Sequence, residues 1–162
     1  MAEIPAERAF EREIWIAARP ETVFGFLTQS DKMVRWFGLE AVLDAKPGGM
    51  FRVNVTGRAI AAGKYVAVEP HRRVVFSFGW EGGEIVAPGA STVEITLTAR
   101  DNGTVLRLIH SGLPEDAVDS HGKGWTHYLD RLVIAGAGGD PGADPWVKDE
   151  DRHHAKTAGK LG

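Results

Sequence analysis

HGKGWTHYLDRLVIAGAGG, residues 121–139, is the stretch that decides the fold, because it carries one long amphipathic pattern. At about 100° per residue, one set of residues shares a face of a helix: His121, Trp125, Tyr128, Leu129, Leu132 and Val133. The opposite face, which we predict to face solvent, holds Lys123, His127 and Asp130, together with an apolar Ile134 that the pattern does not explain. We therefore predict a helix from about Glu115 to Ala135, ended by the glycines that follow it.

The chain between residues 39 and 111 shows the alternation of antiparallel strands that bury one face. Every second residue points inward in four runs: Phe51, Val53 and Val55; Val74, Phe76, Phe78 and Trp80; Val93, Ile95 and Leu97; Leu106, Leu108 and His110. Asp101-Asn102-Gly103 lies between the last two runs and predicts a tight hairpin turn. Together the runs predict a single curved sheet with an apolar, aromatic inner face.

The segment before this sheet predicts one strand and two short helices. Residues 10–17 combine alternation with β-branched and aromatic residues, which favours a strand. Pro20 and Glu21 suit the first turn of one helix, and Ser30-Asp31 can cap a second. The fold class that follows is α+β, with two short helices after the first strand, a curved antiparallel sheet and one long C-terminal helix.

Length and composition limit the function. The 162 residues predict one domain, which we place at residues 10–136, between an N-terminal arm, 1–9, and a C-terminal tail, 137–162. The absence of cysteine excludes disulfides and thiolate metal ligands. With 19 basic and 22 acidic residues, the chain lacks the basic footprint of a nucleic-acid-binding protein. It also lacks an apolar run of about 18 residues and a leader pattern, so we expect no membrane partner and a cytoplasmic location.

The C-terminal tail is polar and interrupted by glycine and proline. Such a composition favours a flexible segment. Its single Trp146 leaves an alternative open, in which the tail packs onto the domain or onto a partner such as a second copy of the chain. We predict the flexible arrangement.

Five motifs, in this order and spacing, resemble a known family. They are RPETVFGFLTQSDKMVRWFG, KPGGMFRVNVTG, AAGKYVAVEPHRRVVFSFGWEG, STVEITLTARDNGTVLRLIHSGLP and HGKGWTHYLDRL. The chain is similar over about residues 10–136 to the activator of heat-shock protein 90 ATPase homologue-like proteins of the SRPBCC, or START-like (Bet v-like), superfamily. The resemblance implies the helix-grip fold, in which the sheet wraps around the C-terminal helix.

The resemblance also implies a deep apolar cavity between helix and sheet that holds a small hydrophobic molecule. Related groups include polyketide cyclases and aromatase-like enzymes, so an enzymatic alternative stays open. A third alternative is an interaction module or co-chaperone-like protein. We expect a ligand-binding protein, without a cofactor or a metal ion, and with a homodimer as an open alternative.

The candidate ligand-binding residues are those predicted to face inward. They are Trp36, Phe37, Phe51, Val53, Phe76, Phe78, Trp80, Leu108, His110, His121, Trp125, Tyr128 and Leu129. Aromatic residues are typical of ligand pockets, although they also fill ordinary cores.

His110 or His121, together with Tyr128, could carry a reaction on this inner face in the enzymatic alternative. Imidazole titrates near pH ~6.5 and can act as a general acid or base. The alternative is a pair of structural, hydrogen-bonded histidines, and the sequence does not distinguish the two, so we assign no catalytic residue. His153-His154 lies in the polar tail, where we expect a solvated pair and no metal site.

Overall fold

The computed structural model describes residues 9–151 and shows seven strands and three α-helices in this range. The elements in chain order are β1 (Phe10–Ile16), α1 (Pro20–Thr28), α2 (Ser30–Met33), β2 (Glu40–Leu43), β3 (Met50–Asn54), β4 (Ile60–Glu69), β5 (Arg73–Trp80), β6 (Ser91–Arg100), β7 (Gly103–Ser111) and α3 (Val118–Gly136). A short 3₁₀ helix, Glu115–Ala117, precedes α3, so the predicted long helix begins with one tighter turn. The predicted arm, apart from residue 9, and His153-His154 lie outside the described residues.

The strands form one antiparallel sheet in the order β1-β7-β6-β5-β4-β3-β2. Arg100 pairs with Gly103, so Asp101 and Asn102 alone form the turn between β6 and β7. Both turn residues have positive φ, 52° and 61°, as a type I′ hairpin turn requires. The α+β fold class and its helix-grip arrangement are confirmed.

Helix α3 lies across the inner face of the sheet and packs closely against β1. A Cβ atom on Gly136 would lie 2.6 Å from the fully buried Ile16 side chain. A Cβ atom on Gly122 would lie 2.7 Å from the ring of Phe10. These two glycines therefore set the distance between the helix and the edge strand. Ile134, which did not fit the helical pattern, is 45% exposed.

The core lies between α3, the two short helices and the inner face of the sheet. Phe51 and Phe76 stack at its centre, with ring centroids 4.1 Å apart. Leu106, Leu108, Leu129 and Leu132 are fully buried, as their places in the strand and helix patterns predict. Beside this packed part of the interior, open space lies next to the first half of α3, where the candidate site is found.

Candidate functional site

A cavity of about 300 Å³ lies between the first half of α3, strand β5 and the turn that joins β3 to β4. Its walls are mainly aromatic and aliphatic, as in many small-molecule sites. The lining residues are Phe37, Val55, Thr56, Ala59, Phe78, Trp80, Ser120, His121, Gly124, Trp125, Tyr128 and Trp146.

The structure divides the predicted ligand-binding residues into two groups. Those that line the cavity are Phe37, Phe78, Trp80, His121, Trp125 and Tyr128. Those that are buried beside it are Trp36, Phe51, Val53, Phe76, Leu108, His110 and Leu129. The second group faces inward as predicted, but it packs against other side chains where sheet and helix lie close together. The strand and helix periods predict the face on which each side chain lies, but they do not predict how far the helix stands from the sheet.

His110 is fully buried at the end of β7, with both ring nitrogens hydrogen-bonded. The indole Nε1 of Trp125 donates to His110 Nδ1 at 2.9 Å. Because Nδ1 accepts, the ring proton lies on Nε2, which contacts Ser91 Oγ at 2.7 Å. Ser91 Oγ in turn donates to the carbonyl of Phe78 at 2.7 Å. This chain of hydrogen bonds holds His110 as a neutral imidazole.

The electrostatics of His110 agree with this geometry. Burial, with a smaller contribution from the neighbouring His121, lowers the pKa of His110 to about 3. A buried imidazolium would lose its hydration without gaining a carboxylate partner. His110 is therefore neutral across the physiological range.

His121 lines the cavity and is held in a similar way. Trp80 Nε1 donates to His121 Nε2 at 2.9 Å, and His121 Nδ1 lies 2.8 Å from the carbonyl of Ala117. Since Nε2 accepts, Nδ1 carries the proton and donates to that carbonyl. The rings of His110 and His121 meet edge to face at 5.4 Å. The two histidines thus converge as a reactive pair would, but a tryptophan N–H occupies the lone pair of each.

Tyr128 and His127 bind a carboxylate that the helical pattern did not reveal. Tyr128 Oη donates to Asp144 Oδ2 at 2.7 Å, and His127 Nε2 lies 2.8 Å from Asp144 Oδ1. His127 was predicted to face solvent, and this was wrong: its side chain is only 18% exposed. The helical pattern places His127 opposite the sheet, but the chain after α3 turns back and covers it.

The pKa values of Tyr128 and Asp144 shift in opposite directions. Burial, together with the hydrogen bond and charge of Asp144, raises the pKa of Tyr128 well above its usual value. Burial alone would raise the pKa of Asp144, but hydrogen bonds from Tyr128, the Trp146 backbone and His127 outweigh it and lower that pKa. Asp144 is therefore an ionised carboxylate that accepts from a neutral tyrosine.

The tail supplies a cavity residue that the inward-facing patterns did not include. Trp146 stacks on His127, with ring centroids 3.9 Å apart and planes 7° from parallel, and it lines the cavity. For residues 137–151 the structure thus shows the packed alternative, and the flexibility of the tail stays a prediction. Strand alternation had placed Val55 on the inner face, and it lines the cavity. The remaining lining residues had no strand or helix pattern to identify them: Thr56, Ala59, Ser120 and Gly124.

A second cavity of about 310 Å³ lies on the far side of Trp80 and His121. It shares these two residues and Ser120 with the first cavity and is otherwise formed by the loop after β5 and the 3₁₀ helix before α3. The hydrogen bond between Trp80 and His121 therefore lies in the wall that separates the two spaces.

Residues 9–151 contain no group of three His, Cys, Asp or Glu side chains placed to hold a metal ion. Within the same residues, no helix has the length and apolar character needed to cross a membrane.

Comparison with known proteins agrees with the resemblance in the sequence. The family model described as activator of Hsp90 ATPase homolog 1-like protein matches residues 17–135. No curated protein matches the chain. An AHSA1-like protein from Rhizobium etli, solved by NMR in solution, is 46% identical with a TM-score of 0.68; the match covers 86% of this chain and 88% of that one.

Two more distant structures show the same fold. DynU16, a protein of the dynemicin biosynthetic locus, is 24% identical with a TM-score of 0.72, over 83% of this chain. The match covers about half of that protein, 49% of its length. The Aha1 dimer from Colwellia psychrerythraea is 21% identical with a TM-score of 0.71, over 81% of this chain and 97% of that one.

Proposed function

The chain belongs to the family of activator of Hsp90 ATPase homolog 1-like proteins, and from this premise we propose that it binds a small, uncharged aromatic molecule in the cavity beside α3. One observation carries the proposal: six aromatic side chains surround the open space of this cavity. They are Phe37, Phe78, Trp80, Trp125, Tyr128 and Trp146.

The volume of the cavity indicates the size of the ligand. At about 300 Å³ it lies at the lower end of the usual range for small-molecule sites. It is also about twice the ~150 Å³ of an apolar cavity that holds benzene. A ligand of two or three aromatic rings therefore fits the space, with its ring faces and edges against the aromatic walls.

The polar groups of the cavity favour an uncharged ligand. In the described residues, no Lys, Arg, Asp or Glu side chain lines the cavity. Four hydroxyl and imidazole side chains line the cavity, and each is already hydrogen-bonded within the protein. Tyr128 binds Asp144, His121 binds Trp80, Ser120 donates to the carbonyl of Ala117 at 3.2 Å, and Thr56 Oγ1 accepts from the amides of Arg58 and Ala59. A charged ligand would lose water without gaining an ionic partner, which is costly.

Two dyes with one skeleton test the proposal. N-phenyl-1-naphthylamine is neutral, and 1-anilinonaphthalene-8-sulfonate adds a negative charge to the same rings. We expect the neutral dye to bind the full chain with enhanced fluorescence, one dye per chain, and the sulfonate to bind more weakly by about tenfold or more. Tighter binding of the sulfonate would contradict an uncharged ligand, and failure of both dyes to bind would contradict an aromatic site.

The structure gives less support to the enzymatic alternative. General base catalysis needs a nitrogen that can take a proton from substrate. In His110 and His121 all four ring nitrogens already have hydrogen-bond partners, and each lone pair accepts an indole N–H. We therefore propose binding without turnover.

A cytoplasmic location and a homodimer stay predictions from the sequence. The mass of the full chain in solution, measured across a range of concentrations, decides the oligomeric state. A mass near 17.6 kDa throughout would contradict the homodimer.

A further inference from the structure

We propose that residues 140–151, named the strap here, close the cavity and that Trp146 in the strap helps to determine which ligands fit. The inference rests on the proposed function, because it concerns the same cavity. The family match ends at residue 135, so the strap lies outside the matched region.

The first end of the strap is fixed on α3. Arg131 Nη2 donates to the carbonyl of Gly142 at 2.9 Å, and its Nε donates to the carbonyl of Trp36 at 3.2 Å. Asp144, only 8% exposed, then accepts from Tyr128 at 2.7 Å and contacts His127 at 2.8 Å. Hydrogen bonds to a buried, ionised acceptor are among the strong ones.

The middle of the strap forms part of the cavity wall. Trp146 stacks on His127 and meets Tyr128 edge to face at 5.8 Å, which fixes the plane of its indole ring. The ring lines the cavity, although half of the residue is exposed to solvent. The next residue, Val147, is 3% exposed. A ligand in the cavity would therefore contact Trp146 while the strap is closed.

The second end of the strap is fixed on the opposite wall of the cavity. Arg58 lies in the turn between β3 and β4, next to the lining residues Thr56 and Ala59. Its Nε lies 3.0 Å from both carboxylate oxygens of Asp151, and its Nη2 lies 3.0 Å from Glu150. The strap thus connects α3 to this turn, the two walls between which the cavity lies.

The two ends differ in strength, and this predicts how the strap opens. The Arg58 side chain is 62% exposed and that of Asp151 is 12% exposed, so water and salt reach this ion pair from the arginine side. Ion pairs that are open to solvent contribute little and are screened by salt. The Asp144 end is buried and hydrogen-bonded by several donors. We therefore infer that the strap opens at Arg58 and Asp151 and pivots near Asp144, so that ligand passes between the strap and the β3–β4 turn.

Stopped-flow fluorescence with N-phenyl-1-naphthylamine tests this inference on the full chain. The variants are Asp151→Asn, which removes one of the two ion pairs of Arg58, and Trp146→Ala, which removes the aromatic side chain of the strap from the cavity wall. Asp119→Asn is the matched control, because it removes an exposed ion pair to Lys123, at 3.3 Å, elsewhere on the surface.

We expect Asp151→Asn to speed dissociation of the dye by about threefold. Added salt should speed dissociation from the wild type more than from this variant, which keeps only the ion pair between Arg58 and Glu150. Trp146→Ala should weaken affinity by about tenfold, because an aromatic contact surface is lost. Asp119→Asn should behave as the wild type in each measurement. Rates and affinities that are unchanged in both strap variants would overturn the inference while leaving the proposed function intact.

Amide hydrogen exchange without ligand gives an independent result. The Trp146 amide donates to Asp144 Oδ1 at 2.9 Å and the Val147 amide to the Asp144 carbonyl at 3.1 Å, so both exchange slowly when the strap is closed. Asp151→Asn should speed their exchange and Asp119→Asn should not. Equal exchange in all proteins would overturn the strap. Absence of dye binding in all proteins would instead contradict the proposed function.

Discussion

Two tryptophan–histidine hydrogen bonds determine the chemistry of the site. Trp125 donates to His110 and Trp80 donates to His121, so each imidazole accepts at one nitrogen and donates at the other. An indole N–H is a donor only, so it holds each histidine in one neutral tautomer. The two histidines that the sequence marks as candidate acid–base groups thus act in the structure as fixed parts of the wall and the core.

Burial of His110 predicts that the fold is sensitive to acid. Its pKa is lowered to about 3, whereas an exposed imidazole titrates near ~6.5. Between these values the unfolded chain binds a proton that folded His110 does not, so stability falls as pH falls through this window. We expect the free energy of unfolding to drop by about 2 kcal/mol between about pH 7 and pH 5 from this group.

Chemical denaturation at the two pH values checks this expectation, with His110→Gln as the comparison. Glutamine can still accept from Trp125 but does not titrate, so the variant should lose most of the pH dependence whatever its absolute stability. A pH dependence equal to that of the wild type would show that His110 is not the responsible group.

Replacement by alanine should have opposite effects on stability at two glycines of α3. A Cβ atom on Gly124 meets no atom within 4 Å, so Gly124→Ala should stabilise the helix by about 0.5–1 kcal/mol. A Cβ atom on Gly136 would lie 2.6 Å from buried Ile16, so Gly136→Ala should destabilise the protein by about 1–3 kcal/mol. Thermal or urea denaturation measures both. Equal effects of the two variants would contradict the packing of α3 on β1.

At the scale of elements, the sequence predicted the order and the faces of the strands and helices. Alternation placed Phe76 and Phe78 inside β5 because successive strand residues point to opposite faces. Asp101 and Asn102 predicted their own turn because they tolerate positive φ. These features depend on neighbours in the chain, so a local pattern is enough to predict them.

The tail contacts could not be predicted in the same way. Asp144 meets Tyr128 and His127 across 16 and 17 residues of chain, and neither partner has a pattern that selects it. The boundary between packed core and open cavity depends on how far α3 stands from the sheet at each point. That distance is set by close approaches such as that of Gly136 to Ile16, which helical periodicity does not contain.

The junction of α3 with the strap predicts that two buried tyrosine hydroxyls contribute differently to the stability of the fold. Tyr128 donates to the ionised Asp144 at 2.7 Å, whereas Tyr65 donates to the neutral carbonyl of Leu27 at 3.1 Å. Tyr128→Phe should cost about 1.5–3 kcal/mol of stability and Tyr65→Phe about 1 kcal/mol. Urea denaturation of both variants measures the difference. A larger loss for Tyr65→Phe would contradict a charged Asp144 at this position.

At the scale of the whole molecule, the domain is packed at one end and open at the other. Stacked Phe51 and Phe76 fill the space where sheet and helix are close. Toward the start of α3 the same layers separate, and the strap lies across the gap with Trp146 in its wall. The proposed function therefore requires that this space holds a ligand and is not a packing defect.

Affinity for N-phenyl-1-naphthylamine, measured across a size series at position 124, tests that claim most directly. Gly124 lines the cavity, and a Cβ atom there would meet no other atom within 4 Å, so a longer side chain can begin in open space. We predict that Gly124→Ala keeps most of the affinity of the wild type, while Gly124→Leu lowers it by about tenfold or more without loss of stability. Undiminished binding by Gly124→Leu would show that the dye binds elsewhere and would contradict the account.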